Sequence, residues 1–390
     1  MRLRERIHRE RIHRDEKTRS ERQNALFEAF GVLENPFPAA GQPVGHPHLE
    51  TNVDEKIIVC IQQFEDNHDS QVLVIEGTQG VGKTNLLNYY QQELEDLYQD
   101  DKTFYIIRYY SDPEPGFDAI IRRIFLELGE IHLEKIAKKL NELKDDESFK
   151  IINIAKNHEI HMVLHALRKS VEKGQQEVDE ITKLAMEWLL GLRLLKNHID
   201  KLGIKFRLDT VESKNQALRD IVYVSVRLNL LGGIFLLLDD LEKQDDSVSK
   251  TQVIRFLSAI RALVDSLPTH LFLMAALTTE ARRRYFKMLP AFAGRLQNVL
   301  TLLPLQDDTE ALALYELYLN NARKKAESDE KVKELRAGKD GIFEKKELAN
   351  IFKDLKDKSG IMGIKGVTHR DFLNELHNRT QAKFQRLLES

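Results

Sequence analysis

One cysteine in 390 residues, Cys60, excludes an internal disulfide. Its place in the apolar pattern Ile57-Ile58-Val59-Cys60-Ile61 predicts a buried structural thiol, and the reducing cytoplasm is the expected compartment. Also lacking is any apolar run near the about 20 residues that cross a bilayer, and no signal peptide opens the sequence, so neither membrane anchorage nor export is expected. Charge of one sign is scarce. Lys and Arg number 59 against 62 Asp and Glu, and the net charge of −3 gives no global basic footprint, so any nucleic-acid contact must be local. Hydrophobic residues at 42% and charged ones at 31% describe a soluble globular chain and exclude a disordered one. The length suffices for two or three domains around a large core.

Against that background residues 77–84 stand out. They read Gly77-Thr78-Gln79-Gly80-Val81-Gly82-Lys83-Thr84, a complete G-x-x-x-x-G-K-[ST] phosphate loop, between the apolar run Val72-Leu73-Val74-Ile75 and a helical stretch opening at Asn85. Glycine-rich turns also precede helices for structural reasons, but here both flanks and every fixed position agree. The glycines let backbone N–H groups wrap a polyphosphate, Lys83 reaches the β and γ oxygens, and the Thr84 hydroxyl joins a Mg²⁺ shell. A nucleoside triphosphate is the expected ligand.

A second motif follows at residues 232–242, where Gly-Gly-Ile-Phe-Leu-Leu-Leu runs into Asp239-Asp240-Leu241-Glu242. The apolar run is of the kind buried on both faces of a parallel sheet, and in such sheets ligands lie at the carboxyl ends of the strands. Asp239 therefore falls where a Walker B aspartate holds the metal. Asp240 or Glu242 is the candidate base that polarises the attacking water. The plain structural alternative is an acidic turn after a core strand.

Along the chain, residues 1–34 form a charged arm, Arg4-Glu5-Arg6-Ile7-His8-Arg9-Glu10-Arg11-Ile12-His13 with Arg14, Lys17, Arg19 and Arg22 beyond. It is either a solvated helix or a contact for nucleic acid or a neighbouring subunit. Residues 35–47 are a proline- and glycine-rich connector to a helix near 53–65. A second strand is expected at 104–109, then an all-helical insertion over about 117–230, most exposed near 145–174, with the apolar stretch Trp188-Leu189-Leu190-Gly191 as local core. After a helix at about 252–267, the strand at 271–277 ends in Thr278-Thr279. These threonines are either sensors of the attacking water or γ-phosphate, or caps of the next helix, which carries Arg282, Arg283, Arg284 and Lys287. Arg295 precedes a last strand at 299–303. Helices alone follow, at 309–325, 344–356 and 368–389, and Arg370 sits in the first turn of the last. The expected organisation is an arm at 1–34, a nucleotide-binding core at 35–305 and a helical lid at 306–390.

This order of phosphate loop, acidic strand, sensor strand, arginine-bearing segment, closing strand and helical lid resembles the AAA+ superfamily of P-loop ATPases. Among its branches the chain is similar to bacterial ATP-binding proteins of the origin-recognition, transposition-regulator and phage-exclusion (BREX-like) type. Trp188-Leu189-Leu190-Gly191, Leu238-Asp239-Asp240-Leu241-Glu242 and Thr368-His369-Arg370-Asp371-Phe372-Leu373 carry that finer resemblance. It implies an α/β fold: a parallel-sheet core with helices on both faces, a helical insertion and a C-terminal all-α lid. It also implies ATP and Mg²⁺ as cofactors, hydrolysis of ATP to ADP and phosphate, a homo-oligomer and an effector protein partner. Arg370 would match the sensor 2 arginine and Arg295 an arginine finger reaching an adjacent protomer; a surface salt bridge is the plain alternative for each. Asp240 stands where a glutamate is common, as in signalling-type (STAND) switches, and the insertion exceeds a minimal core.

Two other patterns carry little. His158, His161 and His165 share helical spacing but have no fourth ligand. The stretch around Asp340 and Glu347 echoes a calcium loop but has Arg336 and Gly338 at ligand positions. Three functional classes remain: an oligomeric ATPase working with DNA-directed partners, a partner-regulated switch with little turnover, and a protein-remodelling motor. The arm and residues 282–287 favour the first, Asp240 and the insertion favour the second, and no pore loop supports the third.

Overall fold

The fold begins where Thr51 and Asp54 close a capping box. The Thr51 hydroxyl accepts from the Val53 amide (3.3 Å) and the Thr51 amide donates to Asp54 Oδ2 (2.7 Å), which satisfies the open N–H groups of helix α1 (Asn52–Asn67). The helix buries Val53, Ile57, Cys60, Ile61 and Phe64, so the lone thiol lies in the core as expected. It ends at His68, whose φ of 57° turns the chain into strand β1 (Gln71–Glu76). The computed structural model describes residues 27–39, 45–111, 116, 118–242, 249–296, 298–328, 341–361 and 365–389. Residues 1–26 of the basic arm lie outside them, as does most of the Lys/Glu-rich link at 327–339, while the rest of the expected arm, 27–34, is described and buries Phe27 and Val32.

The chain forms two compact units. One comprises residues 51–76 and 87–301; the other comprises residues 1–50, 77–86 and 302–390. The larger holds a five-stranded sheet. After β1 and helix α2 (Lys83–Leu97) come β2 (Phe104–Tyr110), then helices α3 (Ala119–Glu142), α4 (Asp145–Ile152), α5 (His158–Lys173), α6 (Gln175–Leu189), α7 (Lys196–Leu202) and α8 (Val211–Arg227). These six are the helical insertion, and the described residues between β2 and β3 contain no strand. Strand β3 (Gly233–Asp239), helix α9 (Lys250–Ser266), β4 (Leu271–Leu277), helices α10 (Thr279–Met288) and α11 (Pro290–Ala293), and β5 (Asn298–Thr301) complete the unit.

All pairings are parallel and the order is β2-β3-β4-β1-β5. Every residue of β3 and β4 is buried, the signature of central parallel strands. Strand β4 therefore separates β1 from the acidic strand β3, and register pairs Glu76 with Leu277 and Leu238 with Ala275. The carboxyl ends of β1, β3 and β4 lie along one edge, where parallel sheets bind their ligands. Strand β5 stops at Thr301, two residues short of the expected end.

The insertion packs into one core with the sheet, in which Ile124, Phe125, Ile160, Leu164, Trp188 and Ile221 join Ile107, Leu236 and Leu273. Trp188 is fully buried and its Nε1 donates to the Phe206 carbonyl (3.0 Å). Buried His132 bridges Tyr105 Oη and Ser225 Oγ, each at 2.8 Å. Because Ser225 gives its hydroxyl proton to the Ile221 carbonyl, His132 donates from Nε2 and accepts from Tyr105 at Nδ1. Burial pushes this imidazole down to about 4. Helix α4 is exposed as expected for the polar stretch, whereas α5 buries Ile160, Val163, Leu164 and Leu167 because its polarity is confined to one face.

The smaller unit is built on helices α12 (Asp308–Ser328), α13 (Lys345–Ile361) and α14 (His369–Glu389). Its core joins Phe27, Val32 and Phe37 to Tyr315, Phe343, Phe352, Phe372 and Phe384. The Asn-Pro-Phe-Pro connector is fixed to α14: Asn35 Nδ2 donates to the His377 carbonyl (3.2 Å), and the His377 ring bonds the Phe37 carbonyl (2.8 Å). A bridge between Leu305 and Val367 sets the start of α14.

Candidate nucleotide-binding site

Within the smaller unit residues 77–82 form the phosphate loop, and α2 begins at Lys83. Gly80 (φ +85°) and Gly82 (φ +99°) occupy left-handed backbone that side chains disfavour, so the chain here needs glycine. Gly77 has no room for a side chain: a Cβ would stand 2.7 Å from the Leu302 carbonyl. Lys83 folds back over the loop, its ammonium donating to the carbonyls of Gly77 (3.0 Å) and Thr78 (3.1 Å). Asn85, in the first turn, donates to the Pro47 carbonyl (3.1 Å). Thr84 is half-buried beside it, and the buried Thr78 hydroxyl has no hydrogen-bond partner among the described residues. Gln79 is exposed and Val81 fully buried.

The start of α14 rests on this loop. Thr368 caps the helix, its hydroxyl accepting from the Asp371 amide (3.1 Å) and donating to the Asp371 carboxylate (2.7 Å). The Arg370 amide then donates to the Gly80 carbonyl (3.0 Å), and a Cβ on Gly80 would meet Arg370 Cβ at 3.1 Å. His369 Nδ1 lies 3.2 Å from where a Gly82 Cβ would stand. Burial pushes the His369 imidazole down to about 4, opposed by a hydrogen bond to the Val81 backbone and assisted by nearby His48. His369 is therefore neutral at pH 7. Beside the expected Arg370, His369 thus also meets the loop, and its only mark in the sequence is a ring residue next to a helix cap.

The acidic candidates belong to the larger unit. Asp239 ends β3 almost fully buried; its Oδ2 accepts from Arg108 Nη2 (2.7 Å) and its Oδ1 from the Asp240 amide (3.0 Å). Arg108, on β2, was absent from the sequence reading. Asp240 adopts φ 53°, a left-handed conformation that aspartate tolerates better than most residues. Glu242 accepts from the Thr278 amide (3.2 Å), tying the acidic turn to the end of β4. Thr278 caps α10 by accepting from the Ala281 amide (3.2 Å), and Thr279 is the first helical residue.

Residues 51–276 match the sequence profile described as the KAP family P-loop domain. The chain belongs to the KAP family. The matched stretch of this KAP protein includes the phosphate loop and Asp239 but ends before Thr278, Arg295 and Arg370. No curated protein matches the chain. Among solved structures it is similar to the ORC2 protein of Aeropyrum pernix, determined as ADPNP-ADP complexes, with 11% identity, 87% of this chain and 71% of that one covered, and a TM-score of 0.38. It is also similar to Cdc6p of Pyrobaculum aerophilum, with 13% identity, coverage of 84% and 66%, and a TM-score of 0.36.

Three arginines of the KAP chain have partners in its own larger unit. Arg108 holds Asp239. Arg282, on α10, pairs with Glu76, the residue just before the phosphate loop, which also accepts from Thr301 Oγ1 (2.9 Å). Arg295 pairs with Asp265, which also receives Arg261 Nε at 3.2 Å, and its side chain is half exposed. Arg282 is thus turned inward, while Arg283, Arg284 and Lys287 are exposed. No group of three metal-binding side chains occurs among the described residues; His161 instead bonds the Ala155 carbonyl at 2.5 Å.

Glycines with left-handed φ, an ammonium held in the loop and an orphaned Thr78 hydroxyl fit a bound polyphosphate, and a buried carboxylate at a strand end fits a hard cation.

Proposed function

We propose that this P-loop NTPase binds ATP with Mg²⁺ and hydrolyses it to ADP and phosphate, and that its nucleotide state governs self-assembly and recruitment of an effector protein. The observation that carries the reading is the phosphate loop with its positive-φ glycines and enfolded Lys83. The amides of residues 80–85 cradle the phosphates and Lys83 exchanges its two carbonyl partners for phosphoryl oxygens. Thr84 and Asp239 are the residues that would hold the metal, which would supply positive charge to the phosphates. Asp240 or Glu242, the latter bonded to the Thr278 amide, is the base that orients water. Arg370 and Thr278 or Thr279 respond to the γ-phosphate, and Arg295 leaves Asp265 to reach a neighbouring protomer.

Exposed Arg283, Arg284 and Lys287, with the arm beyond the described residues, support a DNA-directed setting such as bacterial antiviral defence or a mobile element. No helix among the described residues is long and apolar enough to cross a membrane; cytoplasmic location is part of the proposal. A second reading, a slowly hydrolysing switch driven by a protein partner, is favoured by the engagement of Asp239 with Arg108 and of Arg295 with Asp265.

The test is mass photometry with parallel phosphate release, on wild type and Lys83→Ala, with ATP or a slowly hydrolysed analogue, with and without duplex DNA. ATP-dependent assembly with DNA-stimulated turnover supports the first reading. A monomer that retains ATP with negligible turnover supports the second. Undiminished turnover in Lys83→Ala overturns both.

A further inference from the structure

The ion pair between Arg108 and Asp239 is unusual in how little of the guanidinium it uses. Residue by residue, β2 and β3 run in parallel with Arg108 opposite Leu237, so Arg108 and Asp239 fall on one face of the sheet. Both side chains are buried, 5% and 2% exposed. A planar guanidinium can grip a carboxylate through two N–H groups, yet here only Nη2 makes the contact (2.7 Å), and the second carboxylate oxygen is turned to the Asp240 amide. Nε and Nη1 of Arg108 are buried with no hydrogen-bond partner among the described residues. The guanidinium also lies 4.9 Å from the centre of the Tyr110 ring, a cation-on-ring contact that stabilises it without filling those N–H positions.

Buried N–H groups on a charged side chain are normally satisfied, so the pair neutralises Asp239 while leaving Arg108 short of acceptors. A divalent cation arriving at Asp239 would place two positive charges beside a third, and the carboxylate cannot hold both partners closely in a low-dielectric site. We propose that Arg108 competes with the metal for Asp239: it occupies the carboxylate while the metal is absent and must release it for Mg²⁺ to bind, its N–H groups then turning to an anionic oxygen of the ligand. Arg108 is a positioning residue that sets how much Mg²⁺ the site requires. This rests on the assignment of Asp239 as a metal ligand.

The experiment follows thermal unfolding of the full chain as Mg²⁺ is titrated at a fixed concentration of non-hydrolysable ATP analogue, for wild type, Arg108→Gln, Asp239→Asn and the double variant. Competition lowers the half-maximal Mg²⁺ concentration of Arg108→Gln by about tenfold, the effect of an ordinary pairwise coupling. Asp239→Asn removes the shift in both backgrounds. An unchanged half-point in Arg108→Gln, with the Mg²⁺ response still lost in Asp239→Asn, overturns the competition and leaves the metal assignment standing. A Mg²⁺ response that survives Asp239→Asn overturns the metal assignment itself. Should Arg108→Gln not fold, wild-type crystals grown with Mn²⁺ and the analogue decide: metal at Asp239 with Arg108 moved off the carboxylate supports the proposal, and metal bound with the contact intact overturns it.

Discussion

Gly82 shows how tightly single residues constrain the phosphate loop. Its φ of +99° and the His369 ring 3.2 Å from a would-be Cβ oppose a side chain in two independent ways. Gly82→Ala is expected to cost at least about 1 kcal/mol in denaturant melts, and to weaken binding of a fluorescent ATP analogue. Lys83→Ala is expected to lose that binding, since its ammonium is the loop's charged donor to phosphate. His132 makes a different prediction. Its imidazole titrates at about 4 when folded, against 6.5 as a free group, so between those values the unfolded chain holds the extra proton. Its contribution to stability is complete above pH 6.5 and is lost as pH falls toward 4, by roughly 3 kcal/mol. His369 is depressed in the same sense and adds to the same window. Urea midpoints measured from pH 7 to 4 should therefore fall more steeply for wild type than for His132→Gln, which keeps the parts due to His369 and to the likewise depressed His165 and His270. The phosphate loop was legible in the sequence because its chemistry depends on spacing within eight residues. Arg108 and Glu76 were not, because their partners lie 131 and 206 positions away.

Elements were legible to the extent that burial is one-sided or complete. Strands β3 and β4 announced themselves as unbroken apolar runs. The helical insertion followed from periodicity, and so did the C-terminal helices within a few residues. The end of β5 was misplaced because Leu302 and Leu303 continue the apolar pattern, whereas pairing with β1 ends at Thr301. Capping was legible at Thr368, and it matters because this cap places Arg370 and His369 on the loop. Thr368→Ala is expected to cost about 1 kcal/mol of stability. It should also weaken ATP-analogue binding, which isothermal titration would register; unchanged affinity would show that the cap serves the helix alone.

At the scale of the whole molecule, one sequence could not reveal strand order, because parallel neighbours are chosen by crossover packing over long separations. The interposition of β4 between β1 and β3 is a finding of the structure, as is the grouping of residues 77–86 with the C-terminal helices. Assembly is the property that belongs to this scale. If Arg295 leaves Asp265 to serve a neighbour, Arg295→Ala should lower turnover, and mixing it with Asp240→Asn should restore part of the activity, since each variant supplies what the other lacks. Phosphate release from verified mixed assemblies checks this; absence of rescue there argues against an active site shared between protomers.

The grouping of the phosphate loop with the C-terminal helices changes what a truncation would mean. A chain cut after Thr301 would keep all five described strands and the acidic residues Asp239, Asp240 and Glu242. It would lose the amide on the Gly80 carbonyl, the ring against Gly82 and the Leu302 carbonyl behind Gly77. Such a fragment would keep the Lys83 and Asn85 contacts of its loop but not the brace that α14 provides, and its ligand would have to supply that part of the order.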